Sequence, residues 1–383
     1  MARHIQQLTI PGAARRRVRR ARRLRPPAAL IHLSSTRGPD PPGPRFLLPA
    51  LRGISHARHH KPEESRPSSR RSPPAAFPTP ALAQRTNDPA ALATITRFAE
   101  HQAAVAQDLA ATVAHRLHDV PGDAQRMVSA TLDAARHWRY QLARDTNEVR
   151  RGTGIPLDHA RYRTLITDHT TNYDRIGYVG RVRHGAYWDP AFRLNRGGAA
   201  TPAFHTLVEA GRRALARFEA DAPYGAVLQN FVELVDGTLV LGNRLLRGHA
   251  ADDAATELAA RIAARGGDAT RIETGGALLY IATASEADRA RLHQAAVDAF
   301  AEAITTTDPA AALQLWAHGA YCLYQAPQTK KGSDAVARVA LVAFGALALG
   351  HVPQLPHDID LRGYVDGQAA FTRDLQDLQR RPR

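Results

Sequence analysis

The sequence predicts a mainly α-helical protein with one small β-hairpin, and three observations lead there. Apolar residues recur near helical spacing at Leu92, Ile95, Phe98, Ala99, Val105, Leu109, Val113 and Leu117, and again at Leu132, Trp138 and Leu142. Helix-start chemistry repeats along the chain, at Asn87-Asp88-Pro89, Pro121-Gly122-Asp123, Thr201-Pro202, Ser285 with Asp288, and Asp308-Pro309. A short oxygen-bearing side chain accepts from an unpaired first-turn amide, and a proline there loses no hydrogen bond. The clearest β pattern is confined to Thr270 through Thr283, two short runs around Gly275-Gly276 that read as a hairpin.

In order, helices are expected from 89, from 121, from 201 to 218, from 254 to 264, from 285 to 304, from 309 to 324, from 333 to 349 and from 358 to 378. Gly152 to Pro156 breaks the second helix. Between 156 and 198, Tyr162, Tyr173, Tyr178, Tyr187 and Trp188 interleave with Arg161, Arg163, Arg175, Arg181 and Arg183. Such a stretch either stacks a ligand or covers a half-buried surface with arginine stems. Tyr224 to Leu246 is apolar, interrupted by Asp236-Gly237 and Gly242-Asn243. The run Val339 to Leu349 is eleven residues, too short for the ~20 a membrane-spanning helix needs, and reads as a buried core helix.

The formal net charge of +15 belongs to one end of the chain of 383 residues. Residues 1–85 hold 18 basic against 3 acidic side chains and 14 of the 25 prolines, leaving 33 of each sign beyond. A self-repelling, proline-rich segment with little apolar surface is expected to be disordered. Three readings of it stay open: an arm that contacts nucleic acid or anionic lipid, a targeting sequence, or a solvated extension. The expected division is a tail over 1–86, a helical region over 87–222, and a core over 223–383. A single cysteine, Cys322, rules out an intramolecular disulfide framework and suits a reducing compartment, so a cytoplasmic location is expected.

The stretch that carries chemistry is Tyr324 to Arg338, a polar loop with two lysines and one glycine before a greasy helix. The first amides of that helix have no internal partner, and its dipole places positive potential there. Gly332 permits a sharp turn and close approach; Lys330 and Lys331 add full charges; Ser333 opens the helix and Arg338 lies within it. This composition suits phosphate oxygens. The plainer alternative is a helix capped by Ser333 or Asp334 with two solvated lysines.

The order of these segments resembles the Fic/Doc (Fido) superfamily over roughly 225–378. There a flap hairpin, two helices, an HPFxxGNGR-type anion loop and a buried helix follow one another. Here the counterparts are Leu278-Leu-Tyr-Ile, the helices from 285 and 309, the loop 325–334, and the helix from 333. Asp236-Gly-Thr-Leu-Val-Leu-Gly-Asn-Arg-Leu-Leu resembles an upstream region of the family.

The chain departs from the pattern in ways that bear on chemistry. Gln325 or Ala326 falls where the family has its catalytic histidine, Pro327 matches the proline, and Gln328 replaces the phenylalanine. A lysine stands where the family has an acidic metal ligand, Gly332 keeps the glycine, and Arg338 matches a second arginine. Leu241 stands where inhibited members carry a blocking glutamate. The resemblance implies transfer of a nucleotidyl or other phosphate-linked group to a hydroxyl on a protein or other acceptor, without that histidine. A nucleotide or other phosphorylated ligand is then expected at Lys330, Lys331, Gly332, Ser333 and Arg338, with no metal, and Asp334 and His357 are the candidate acid–base groups. His318, beside Trp316, reads as a packed core histidine.

Two rivals stand beside this reading. One is a catalytically inactive Fido-like module that binds a nucleotide or a protein. The other is a metal phosphohydrolase of the HD type using His115, His118, Asp119 and His357-Asp358. HExxH, GxSxG and a strand-linked GxGxxG are missing from the sequence, so zincin, α/β-hydrolase and Rossmann readings lose their usual support.

Overall fold

The computed structural model describes residues 76–77, 89–119, 122–145 and 158–380. The tail, apart from Ala76 and Phe77, and the break at 152–156 lie outside the described residues. Helices α1 (Pro89–Asp119) and α2 (Ala124–Asp145) come first, then β1 (Tyr173–Arg175), β2 (Tyr187–Asp189), β3 (Leu194–Arg196) and α3 (Pro202–Asp221). Next are β4 (Val227–Glu233), β5 (Leu239–Arg247), α4 (Gly248–Ala263) and β6 (Leu279–Ala282). Five helices close the chain: α5 (Glu286–Thr305), α6 (Pro309–Gln325), α7 (Ser333–Ala348), α8 (Ile359–Val365) and α9 (Gln368–Arg380).

The protein is mainly helical with a small antiparallel sheet, as the sequence predicts, and the local start signals act as expected. Thr201 accepts from Phe204 N–H, Ser285 from Asp288 N–H, and Asp308 from Ala310 N–H. The β content differs from expectation. The stretch 270–283 is not a hairpin: only Leu279–Ala282 is a strand, and it lies inside a sheet of order β1-β6-β5-β4. Consecutive strands pair antiparallel at β2–β3, a separate two-stranded sheet, and at β4–β5, which turns at Asp236-Gly237, with Gly237 at φ +81° and Asp236 accepting from Thr238 N–H. Gly275 instead lets backbones meet, since a Cβ there would lie 1.8 Å from the Phe192 carbonyl oxygen.

The sheet is covered on both faces, and strand alternation dictates which residue goes where. Leu228, Leu245, Leu279 and Ile281 pack with Ala210, Ala214 and Phe218 of α3. Leu246, Tyr280 and Ala282 pack with Ala251, Ala254 and Ala255 of α4. The main core joins α1, α2, α5, α6, α7 and α9 around Trp316, Phe300, Leu341 and Phe344, and Trp316 Nε1–H donates to the Leu341 carbonyl at 3.1 Å.

Two further expectations are corrected, and helices α1 and α2 supply core to α7. Ala76 and Phe77, assigned to the tail from sequence, are buried in that core. The last helix is two helices: α8 ends at Asp366, whose backbone carbonyl accepts from Tyr321 Oη and whose carboxylate takes Arg213 at 2.6 Å. In addition, α4 begins six residues before the expected 254, at Gly248.

Candidate functional site at the α6–α7 loop

The loop from 326 to 332 is stitched to the strand-like segment before β1. Ile166 N–H donates to the Gln328 carbonyl and Lys330 N–H to the Thr164 carbonyl, each at 3.0 Å. Asn172 Nδ2 reaches the Lys330 carbonyl at 3.4 Å. Gly332 closes the loop at φ +83°, and a Cβ there would meet Tyr162 Cδ1 at 2.7 Å and Arg139 Cγ at 3.0 Å. It is also the N-cap of α7, with no side chain capping the first turn. Neither Ser333 nor Asp334 caps; Ser333 Oγ turns back to the Thr329 carbonyl at 3.3 Å.

Asp334 and Arg338 are committed to each other. Arg338 Nε lies 2.9 and 3.0 Å from the two Asp334 oxygens, and the Arg338 side chain is 1% exposed. Its Nη1 donates to the Pro356 carbonyl at 3.0 Å and its Nη2 to the His357 carbonyl at 2.6 Å. Burial opposes the Arg338 charge, but Asp334, Tyr324 and Asp360 outweigh it and hold the guanidinium ionised. Arg338 therefore braces the loop from inside, and its polar hydrogens are spent on the protein rather than offered to a phosphate. Asp334 also accepts from Tyr324 Oη at 3.2 Å.

Around this pair lies an acidic group of residues that the sequence reading missed. Asp360 on α8 has a pKa raised to about 7, by burial first and then by the neighbouring Asp334 charge, with Arg338 pulling the other way. Asp174 on β1 is raised by burial, with Lys331, Arg181 and Arg161 opposing. As a residue, Asp174 is exposed to solvent. The phenol of Tyr364 is pushed well up by burial and then by Asp360, Asp174 and Asp334, which places it within the field of all three carboxylates. Among the described residues no group of three or more His, Cys, Asp or Glu side chains is close enough to hold one metal ion.

The two lysines meet different surroundings. Lys331 acts on Asp174. Lys330 is half-buried and its pKa is pulled down to about 8, by desolvation and then by Arg261, Arg161, Arg289 and Arg265. Arg261 is paired with Glu257 and donates to the Thr171 and His169 carbonyls. Arg289 is buried and donates to the Ala284 and Ile166 carbonyls, while its Nε has no partner. The chain thus gathers five cations from the 3-10 turn at His159–Tyr162, from α4 and the turn after it, from α5 and from the loop.

Gln325, at the end of α6, is fully buried. Its Oε1 accepts from Asn243 N–H at 2.7 Å and its Nε2 donates to the Gly363 carbonyl. It pins β5 and α8 to the end of α6 and faces no solvent. So the hairpin that touches the loop's start is β4–β5, through Gly242 and Asn243. Leu241, beside them, is exposed and pairs with Phe231. His357 lies away from the loop lysines in its bonding: its Nε2 is 3.3 Å from Thr206 Oγ1 and its Nδ1 is 4.0 Å from Asp358. His318 is packed between Cys322 and Gln368. His115 and His118 are exposed at the end of α1, each beside Asp119.

Two signals could have pointed to the missed residues. Asp360 follows His357-Asp358 closely at a helix start, where acidic side chains are favoured. Arg261 and Arg265 are spaced to share a helix face. Asp174 carries no comparable signal. Comparison of the chain with protein-family models and with curated proteins gives no match.

Proposed function

We propose that this protein is a Fido-like transferase that moves a phosphate-linked group from a nucleotide or similar donor to a hydroxyl. The observation that carries the reading is Lys330, a half-buried ammonium whose charged neighbours are chiefly arginines. A lysine pressed by like charges gains most from an oxyanion, because the ligand then supplies the missing counter-charge. The unblocked first turn of α7 adds amide dipoles to the same loop.

In this reading Asp360 takes the part of the family's histidine. With a pKa near neutrality it is matched to proton transfer at working pH. It removes the acceptor hydroxyl's proton as the oxygen forms a bond to phosphorus. The bond from phosphorus to the leaving phosphate breaks, and its electron pair leaves with that group. Tyr364 is a protonated phenol within the field of Asp360. A non-catalytic, ligand-holding Fido-like module is the second reading, favoured by Gln325, whose amide is locked where a base is expected.

Calorimetric titration with ADP and a nucleotide sugar tests the grip. Lys330→Ala is expected to weaken binding at least tenfold; equal heats for wild type and variant overturn it. Mass spectrometry with labelled donor and candidate acceptors then separates transfer from holding. Transfer abolished by Asp360→Asn with donor affinity kept supports the transferase; stoichiometric binding without product supports the module.

A further inference from the structure

Tyr187 and its arginine neighbours on the β2–β3 pair have no part in the loop site. Tyr187 stands opposite Arg196 across the two strands, so their side chains share one face. In the turn between the strands, Phe192 lies under the Arg196 guanidinium, 4.1 Å from the ring centre. Both rings that neighbour Arg196 face solvent, Tyr187 at 60% and Phe192 at 56% exposure. Rings grouped in the open beside arginine, rather than scattered singly, mark a surface kept for contact.

This platform is held rigidly. The Glu273 carboxylate, buried beneath it, accepts from the Arg181 and Asn195 amides at 2.9 and 3.1 Å and from the Asn195 side chain at 2.9 Å. Arg193 is the one non-glycine residue among the described residues with a positive φ, at +50°. Its carbonyl accepts from Thr274 and Gly275 N–H at 3.1 and 3.2 Å, so two amides fix a strained arginine at the turn. The Tyr187 ring lies against Gly197, where a Cβ would come within 2.8 Å of Cε1, so the ring is seated without being covered.

The surface is also basic. Residues 178–200 carry Arg181, Arg183, Arg193 and Arg196 against one acid, Asp189. Arg196 takes Asp189 at 3.2 Å, and Arg181 takes Glu273 at 3.1 Å. Arg183 donates to the Gly197 and Gly198 carbonyls at 2.7 and 2.8 Å, which leaves its charge uncompensated. No carboxylate pairs with Arg193 among the described residues.

We propose that the β2–β3 surface binds a single-stranded polynucleotide, with bases stacked on Tyr187 and Phe192 and phosphates met by Arg183 and Arg193. Every base has a flat face to stack, and guanidinium groups follow the backbone charge. A duplex keeps its bases stacked inside, so open rings favour a single strand. An acidic peptide would use the charge and leave the rings idle. The inference does not rest on the phosphate reading of the Lys330 loop, because none of these four residues belongs to that site.

Fluorescence anisotropy on the full chain, with labelled oligothymidine and oligouridine of about twelve nucleotides, tests it and distinguishes a DNA strand from an RNA strand. The double variant Tyr187→Ala, Phe192→Ala keeps every charge, including those of the basic N-terminal residues, so its affinity isolates the rings. A loss of at least tenfold is expected for one strand or both, with duplex binding and the thermal unfolding midpoint unchanged. Arg193→Asn, whose side chain tolerates a positive φ, is expected to flatten the salt dependence of strand binding. The proposal is overturned if neither strand binds the wild type, or if the double variant binds both strands as tightly as the wild type does. An equal loss with duplex or with polyglutamate overturns it too, as does an unchanged salt dependence in Arg193→Asn.

Discussion

Arg338 sits one turn along α7 from Asp334 and holds both of its carboxylate oxygens through Nε, at 2.9 and 3.0 Å. The same guanidinium reaches the carbonyls of Pro356 and His357, tying α7 to the segment that leads into α8. Through these bonds a helix-internal pair also positions Asp360, 3.9 Å from Arg338 Nη2, against the Asp334 charge. Burial raises the Asp360 pKa first, and the two members of the pair then act on it in opposite directions, with consequences that can be measured.

Replacing Arg338 with methionine leaves Asp334 without its counter-charge and two carbonyls without a donor. Asp334 keeps contact with solvent, so the loss comes mainly from the two carbonyls left without a donor, and urea unfolding at pH 7 is expected to register about 1–3 kcal/mol.

Asp360 makes stability depend on pH. Its folded pKa of about 7 lies above the ordinary carboxyl value of 3.8, so the folded state holds a proton that the unfolded chain releases. Its contribution is fully present below about pH 4 and is lost as pH rises towards 7. Asp366, raised by burial to about 6, acts in the same direction. Urea midpoints of Asp360→Asn are therefore expected to fall less between pH 4.5 and pH 8 than those of the wild type. Asp334→Asn is expected to bring the Asp360 titration down, because it removes the largest charge that raises it; carboxyl-carbon NMR follows this directly.

Gln325→Leu tests whether the buried amide at the end of α6 is structural. The substitution orphans the Asn243 amide and the Gly363 carbonyl, at about 1–3 kcal/mol each. A total loss of roughly 2–6 kcal/mol in denaturant unfolding is expected. Gln325→His is expected to give no gain in transfer activity, because that side chain is enclosed between β5 and α8.

Lys330 is expected to acylate faster at pH 8 than an ordinary lysine, since its pKa of about 8 leaves much of it as free amine. Peptide mapping after acetic anhydride treatment measures the rate against a blocked lysine peptide. Pyrophosphate is expected to slow the reaction by restoring the charge.

The helical part of the fold was legible because its signals are local. Thr201, Ser285 and Asp308 meet amides two or three residues on, so neighbouring residues suffice to start those helices. The hairpin was misplaced for a related reason: paired glycines mark either a turn or a close approach, and only the position of Phe192 distinguishes them at Gly275. The break at Asp366 depends on Arg213 and Tyr321, which the local pattern does not contain.

From the order of residues alone followed the helical class, the position of the loop before α7, and the need for glycine at 332. The tertiary structure decided the chemistry of that loop. Arg338 turns inward because Asp334, Pro356 and His357 satisfy it there, and the Lys330 charge is opposed by burial first and then by Arg261, Arg161, Arg289 and Arg265. Charge and burial act through space, so what a lysine or an aspartate can do is set by groups that the chain brings close only after it has folded.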